Sequence, residues 1–129
     1  MLLDPLNDAM ATIRNAETAG MGECLLRPAS KLVGRVLQVM KDSGYLVGYE
    51  RVNDGRGGIF LVRLSGTINA CGVIKPRFSV KRTDLDKYEA RYLPAQDFGV
   101  LILTTTAGVI GHPKAKELGV GGKLLAYVY

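Results

Sequence analysis

The chain has 129 residues, 47% of them hydrophobic and 22% charged, which predicts a packed globular core and excludes a disordered chain. Its 17 basic and 12 acidic residues leave a net charge of +5, a balance that favours a polyanionic partner. There is no signal peptide, no apolar run of ~20 residues and no paired cysteine motif around Cys24 or Cys71, which predicts a cytoplasmic protein with reduced thiols.

The first helix is predicted from its start signals. Asp4 suits the N-cap, and Pro5 suits the first helical position, where the missing N–H would have no helical partner. A short strand over 24–27 follows a loop and is expected to stop at Pro28. The apolar residues at helical spacing are Leu6, Ala9, Met10 and Ile13.

The second helix is the clearest element of the sequence. Ser30 is its predicted N-cap, and Gly44 is its predicted C-terminal glycine. Two strands, over 45–52 and 59–64, are joined by a loop rich in Gly, Asn and Asp, so this half has the order α-β-α-β-β. The predicted apolar face of the helix consists of Leu32, Val33, Val36, Leu37 and Met40.

The second half is predicted to be mostly β-structure with short helices. A division near Ser65–Gly66 would separate subdomains 1–65 and 66–129, so the predicted fold class is α+β, with two small, tightly packed α/β subdomains. Thr83 is the expected cap of a short helix. The expected elements are an extended segment over 73–82, the helix carrying Leu85, Tyr88 and Tyr92, a strand over 100–103, a helix over 113–118 and a strand over 123–129.

Signals for an enzyme are weak. His112, the only histidine, has no nucleophile or acid near it in sequence and is interpreted as a cap or a surface residue. Asp84 and Asp86 would point to different sides of a helix and cannot share a substrate. The run Gly121-Gly122-Lys123 lacks the earlier glycine and the following Ser or Thr of a phosphate-binding loop. No catalytic residue, metal or cofactor is predicted.

Three hydroxyl side chains, those of Thr104, Thr105 and Thr106, follow the apolar strand over 100–103 and run towards Gly108. Threonine hydroxyls can bond phosphates, base edges and ribose 2′-hydroxyls, and glycine permits a close approach of backbone to a partner. The same run also fits a strand end whose hydroxyls face water, and these residues alone favour that interpretation.

Basic residues cluster in the extended segment that precedes the short helix. On a strand, Lys75, Arg77 and Lys81 would share a face. They fit equally a track of phosphate contacts and a solvated edge strand protected by lysines. Arg14-Asn15 and Lys31 add polar and positive groups to the first two helices, where each alone is ordinary helix surface.

Short sequence blocks along the whole chain carry a family resemblance. The second half contains Gly72 to Phe78 (GVIKPRF), Leu93-Pro94 with Phe98-Gly99, Ile102 to Val109 (ILTTTAGV) and Gly121-Gly122-Lys123. The first half contains Asp4-Pro5-Leu6, Arg14-Asn15-Ala16 and Arg27 to Lys31 (RPASK). In this order the blocks resemble the small-subunit ribosomal protein S8 family, in its archaeal and eukaryotic branch. The ordered set is much more specific than any single block.

The resemblance implies two α+β modules and a structural role in the cytoplasmic small ribosomal subunit. It implies a primary binder of the central domain of small-subunit ribosomal RNA that aids assembly, as a monomer beside neighbouring small-subunit ribosomal proteins and without membrane or cofactor. In that family the hydroxyl-rich loop is the main RNA contact, and the glycine-rich turn packs nearby. The RNA-binding residues expected here are Thr104, Thr105, Thr106, Gly108, Gly121, Gly122 and Lys123, the basic residues Lys75, Arg77 and Lys81, and, more peripherally, Arg14, Asn15 and Lys31.

The threonine run and the glycine-rich turn depart from the bacterial members of that family. Those proteins usually have a Ser-Thr-Ser loop followed by lysine, and an acid after the double glycine. This chain has Thr-Thr-Thr followed by Ala107, and Lys123 after the double glycine. One rival interpretation is a small cytoplasmic α/β enzyme or nucleotide-binding protein, which needs a catalytic base or a phosphate loop. Another is a DNA-binding regulator, which needs a basic recognition helix, and the second helix is only mildly basic.

Overall fold

The computed structural model describes residues 4–27, 29–53, 55, 57–95 and 98–129. The chain divides into two compact units, the first ending at Gly72 and the second beginning at Val73. The segment just before this division is bonded to the first helix: Ile68 N donates to Glu17 Oε2 (2.9 Å), and Cys71 Sγ donates to Met10 O (3.5 Å). These bonds explain why the division lies beyond the Ser65–Gly66 position expected from the sequence.

The first unit has the predicted order α-β-α-β-β. Its elements are α1 (Pro5–Thr18), β1 (Glu23–Leu26), α2 (Lys31–Asp42), β2 (Leu46–Val52) and β3 (Ile59–Leu64). The strands form an antiparallel sheet in the order β1-β3-β2. Pro28, the predicted end of β1, and Asp54 and Arg56 of the predicted hairpin loop lie outside the described residues.

The helix caps of the first unit confirm the sequence signals. Asp4 Oδ1 accepts from Asn7 N (3.3 Å), and Ser30 Oγ accepts from Val33 N (3.1 Å). Gly44, at φ +86°, follows α2 in the left-handed conformation typical of a helix end. The residues buried on the two helices are Leu6, Ala9, Met10, Ile13 and Ala16 of α1, and Val33, Val36, Leu37, Val39 and Met40 of α2. Leu32, expected on the buried face, is half-buried.

Both thiols are free, and burial controls their chemistry. Burial raises the pKa of the Cys71 thiol from 9.0 to about 11, with smaller contributions from Arg14, which lowers it, and Glu17, which raises it. The folded protein therefore keeps a proton that the unfolded chain releases near pH 9. By linkage, this contribution to stability is complete below about pH 9 and is lost as pH rises towards 11.

The free energy of unfolding should consequently fall more steeply with alkaline pH in the wild-type chain than in Cys71→Ala. Urea unfolding of both proteins at about pH 8 and about pH 10.5 measures the two declines, and each protein serves as its own reference. Equal declines in the two proteins would remove Cys71 as a source of alkaline instability.

The second unit is mostly β-structure with short helices, as predicted. Its elements are β4 (Cys71–Val73, beginning just before the division), β5 (Ser79–Val80), a 3-10 turn (Arg82–Asp84), α3 (Leu85–Tyr92), β6 (Val100–Thr105), β7 (Gly108–Gly111), α4 (His112–Leu118) and β8 (Gly122–Val128). The sheet order is β4-β8-β6-β7, with β5 also paired to β8. Leu85, Leu101, Leu103 and Leu124 are at the centre of its core.

Three expectations for the second unit are wrong. The segment over 73–82 is not one strand, since only Ser79–Val80 is a strand after Val73, so strand parity cannot place Lys75, Arg77 and Lys81 on one face. Thr83 lies inside the 3-10 turn, and α3 begins without a side-chain cap. β6 continues through Thr105 and is followed by β7, a strand that the sequence did not predict.

No helix in the described part of the chain is long and apolar enough to cross a membrane.

Candidate nucleic-acid interface

The threonine run lies at the end of β6, beside the start of β8. Thr104 pairs with Lys123 of β8 on one side and with Val109 of β7 on the other, and Lys123 pairs with Ser79 of β5. Directly paired residues in antiparallel strands point to the same face of the sheet. The register therefore places Lys123 between two hydroxyl-bearing residues, Ser79 and Thr104, in a polar row across three strands.

The hydroxyl of Thr105 closes the tight turn between β6 and β7. Its Oγ1 donates to Gly108 O (2.9 Å) and accepts from Ala107 N (3.0 Å), and Gly108 has a positive φ of +103° that favours glycine. Thr104 is half-buried and Thr106 is exposed, and within the described part of the chain neither hydroxyl makes a hydrogen bond. The three threonines thus differ in role: Thr105 shapes the turn, and the hydroxyls of Thr104 and Thr106 keep their hydrogen-bonding capacity within the described part of the chain.

These elements surround one open concavity of about 450 Å³. We call its lining the threonine surface: Ser79, Val80, Lys81, Thr104, Thr105, Thr106, Gly121, Gly122 and Lys123. The structure thereby brings together most of the second-half residues predicted from the sequence. Ser79 was not among those predicted, because only its pairing with Lys123 reveals that it belongs here.

The double glycine is required by close packing of backbone. A Cβ on Gly122 would overlap Thr104 O, and a Cβ on Gly121 would overlap Val80 O and come within 3.0 Å of Arg82 N. Glycine at both positions lets the start of β8 fit between β5 and β6. Gly121 and Gly122 therefore contribute to the threonine surface by allowing close packing of backbone, not by offering side chains to a partner.

Gly122→Ala is expected to lower the free energy of unfolding by about 1–3 kcal/mol, the usual cost of forcing an extra methyl into packed structure. Chemical denaturation of this variant and of Gly22→Ala measures the effect. Gly22 is a matched control because a Cβ there meets nothing within 4 Å and its φ is not left-handed. Similar stabilities for the two variants would show that β8 can shift to accept a side chain.

The charge of the chain is concentrated in the second unit. From Val73 onward there are nine basic and five acidic residues, so this unit carries +4 of the net +5. Lys81 and Lys123 are exposed at the threonine surface, and among the described residues neither forms an ion pair. The concavity is therefore lined by hydroxyl-bearing residues and two cations, a combination suited to phosphate and ribose.

The other predicted contact residues do not line this surface. Lys75 and Arg77 are exposed in the same unit but lie outside the concavity. Arg14, Asn15 and Lys31 are exposed on α1 and α2 of the first unit, and Asn15 borders a separate concavity there.

His112 is neither a cap nor a surface residue, which corrects the expectation from the sequence. It is only 2% exposed; its Nδ1 accepts from Leu101 N (3.0 Å), and its Nε2 lies 3.0 Å from Glu89 Oε2. Because Nδ1 accepts a backbone proton, Nε2 carries the ring proton and donates it to Glu89. Glu89 Oε1 in turn accepts from Lys116 Nζ (3.0 Å), which also bonds Asp86.

This buried network resembles a catalytic pair only in its residue types. His112 and Glu89 are both sealed from solvent, so a substrate cannot reach them. In the described part of the chain, no group of three or more His, Cys, Asp and Glu side chains could hold a metal ion. The network instead links α3, α4 and β6 and so supports the strand that ends in the threonine run.

The second of the two α+β units carries an open surface of hydroxyl-bearing and cationic residues. Such a surface is typical of a protein that binds a polyanion. The family model described as Ribosomal protein S8 matches residues 4–129. The small ribosomal subunit protein uS8 of Picrophilus torridus is 57% identical over 126 residues, covering 98% of each chain. That of Archaeoglobus fulgidus is 55% identical over 129 residues, covering 100% of both chains, and that of Methanococcoides burtonii is 54% identical, covering 100% of this chain and 99% of the relative.

The chain therefore belongs to the ribosomal protein S8 family, which confirms the resemblance carried by its sequence blocks. Members of this family are structural ribosomal proteins, so the chain is not an enzyme.

Proposed function

We propose that this structural protein of the small ribosomal subunit binds folded ribosomal RNA of the subunit's central domain through the threonine surface. The observation that carries the proposal is the convergence of the Thr104 and Thr106 hydroxyls with Lys81 and Lys123 on one open concavity. The chain acts early in assembly, as a monomer in the cytoplasm, and neighbouring small-subunit proteins bind beside it.

Recognition rests on shape and hydroxyl chemistry. The minor groove of an RNA helix presents 2′-hydroxyls, which both donate to and accept from threonine hydroxyls. The turn that carries Thr106 is fixed by the two bonds of Thr105, and β6 is paired on both sides. A surface that is already ordered loses little conformational entropy when it binds.

The surrounding cations add affinity and dependence on salt. Lys81 and Lys123 contact phosphates next to the hydroxyls, and Lys75 and Arg77 extend the contact along the same unit. Arg14, Asn15 and Lys31 make peripheral contacts from the first unit. Each neutralised phosphate releases counterions, so affinity falls as salt rises.

Footprinting with hydroxyl radicals, which attack the ribose, tests the proposal directly. A central-domain fragment of small-subunit ribosomal RNA should show a short protected stretch within a helix when the wild-type chain is added. Unchanged cleavage along the whole fragment would contradict the proposed function.

Lys81→Ala should weaken binding of this fragment broadly and reduce the salt dependence of the affinity by about one phosphate contact. Filter binding at several salt concentrations gives the slope. Lys41→Ala removes one charge from the first unit, away from the predicted contacts, and should leave the slope unchanged. If Lys81→Ala also kept the wild-type slope, Lys81 would not be a phosphate contact.

A further inference from the structure

A row of aromatic rings lies in the second unit, separate from the threonine surface. The ring centroids are 6.0 Å apart for Tyr92 and Tyr127, 6.2 Å for Tyr127 and Tyr129, and 6.4 Å for Tyr129 and Phe98. The planes of the first two pairs differ by only 25° and 22°. We call these four residues the aromatic row; their spacing is in the range at which aromatic rings attract each other.

The tyrosines of the aromatic row are anchored in the core of the unit, and the row is partly exposed to solvent. Its three tyrosines pack against the core of the unit and remain half-buried, while Phe98 is 48% exposed. Single exposed apolar side chains are normal on a protein surface, but several adjacent rings that share one surface mark an interaction site. Anchoring in the core means that little side-chain freedom would be lost on binding.

The charge beside the row favours a polyanion. Arg91 lies next in sequence to Tyr92, and its guanidinium carbon is 5.7 Å from the Tyr92 ring centroid and 5.9 Å from that of Phe78. The acids of α3, Asp86 and Glu89, are balanced by Lys116, which bonds both carboxylates, and by Lys87 of the same helix, so Arg91 remains as a positive excess. A surface of aromatic rings with an adjacent arginine is the arrangement that binds unpaired nucleic-acid strands.

We propose that the aromatic row binds unpaired nucleobases of RNA by stacking, with Arg91 placed for the neighbouring phosphate. This inference rests on the proposed function and adds a second contact with a different preference, for single-stranded rather than helical RNA. Lys123 and Tyr129 lie six residues apart along β8 and just after it, a distance of about 20 Å in an extended chain. Separate parts of one RNA can therefore occupy both surfaces.

Binding can be followed by the intrinsic tyrosine fluorescence of the chain, because it has six tyrosines and no tryptophan. Three of those tyrosines belong to the row, so a stacked base should quench tyrosine emission. The probes are a single-stranded adenylate hexamer and a blunt RNA duplex of the same length. At low salt the hexamer should quench the wild-type chain far more than the duplex does.

Substitution of Phe98 isolates the aromatic face. Phe98→Leu keeps an apolar side chain but removes the ring and should weaken hexamer binding about fivefold or more, the lower limit for one base stacked on an aromatic side chain. Phe98→Tyr should bind normally. Tyr45→Leu, which removes a ring from the first unit, is the matched control and should also bind normally.

Wild-type affinity of Phe98→Leu for the hexamer would overturn the inference, as would equal losses in Phe98→Leu and Tyr45→Leu. The wild-type chain is titrated in parallel with the central-domain fragment of ribosomal RNA. If the wild-type chain does not bind the fragment, the proposed function is refuted. If it binds the fragment and Phe98→Leu binds the hexamer with wild-type affinity, only the proposal for the aromatic row is refuted.

Discussion

Replacing Glu89 with leucine is expected to lower the free energy of unfolding by about 1–3 kcal/mol, since it leaves the buried Nε2–H of His112 without its acceptor. Glu89 is 3% exposed, and its two carboxylate oxygens accept from His112 Nε2 and Lys116 Nζ, each at 3.0 Å. Leucine would leave the Nε2–H of His112 without this acceptor, at a site closed to water. Such a loss is a large fraction of the 5–15 kcal/mol typical of a small protein.

Chemical denaturation near neutral pH measures this effect, and Asp86→Ala is the matched control. Asp86 lies on the same helix and bonds the same lysine, but its side chain is 78% exposed. An exposed ion pair contributes at most about 1 kcal/mol. Similar losses in Glu89→Leu and Asp86→Ala would mean that burial of the network does not matter to stability.

The network also bears on function through β6. His112 accepts the backbone proton of Leu101, in the strand that ends with the threonine run. Glu89→Leu should therefore lower RNA affinity as well, by loosening the turn that carries Thr106. Restored affinity at lower temperature, where more of the variant is folded, would distinguish this indirect effect from a lost RNA contact.

Thr106→Val is expected to weaken specific RNA binding by about 1–3 kcal/mol, or roughly 5- to 150-fold, while leaving the fold unchanged. The side chain is exposed, and its hydroxyl makes no hydrogen bond in the described part of the chain. Valine keeps the shape and removes the hydroxyl, so RNA groups desolvated at the contact lose their partner. Stability should change little because no internal bond is lost.

Thr105→Val separates turn formation from contact. Its hydroxyl makes two bonds within the turn, so this variant should lose stability in addition to affinity, by roughly 0.5–1.5 kcal/mol for each bond. Thr105→Ser retains the hydroxyl and should restore both properties. Titration with the ribosomal RNA fragment and thermal unfolding measure the two effects, and wild-type affinity in Thr106→Val would count against hydroxyl recognition.

Local sequence signals were sufficient to predict the helices and strands of the first unit. The caps at Asp4 and Ser30, the glycine after α2 and the spacing of apolar residues are properties of a few neighbouring residues, and the structure places helices and strands where they indicate. In the second unit, β7 was not predicted because a four-residue segment that begins and ends with glycine has little strand propensity.

The candidate site depends on pairing that no local pattern contains. Ser79, Lys123 and Thr104 are far apart in sequence and meet only through the register of three strands. The internal role of the Thr105 hydroxyl and the burial of His112 likewise depend on partners across a turn or on another helix. The resemblance to a family supplied the link between the threonine run and RNA that the residues alone left open.

Competition binding tests the central claim most directly. The purified chain is titrated with a central-domain fragment of small-subunit ribosomal RNA at several salt concentrations, with transfer RNA as competitor. The account predicts that affinity falls with salt while the preference for the fragment persists, because hydroxyl contacts at the threonine surface depend little on ionic strength. Equal competition by transfer RNA at every salt concentration would contradict it.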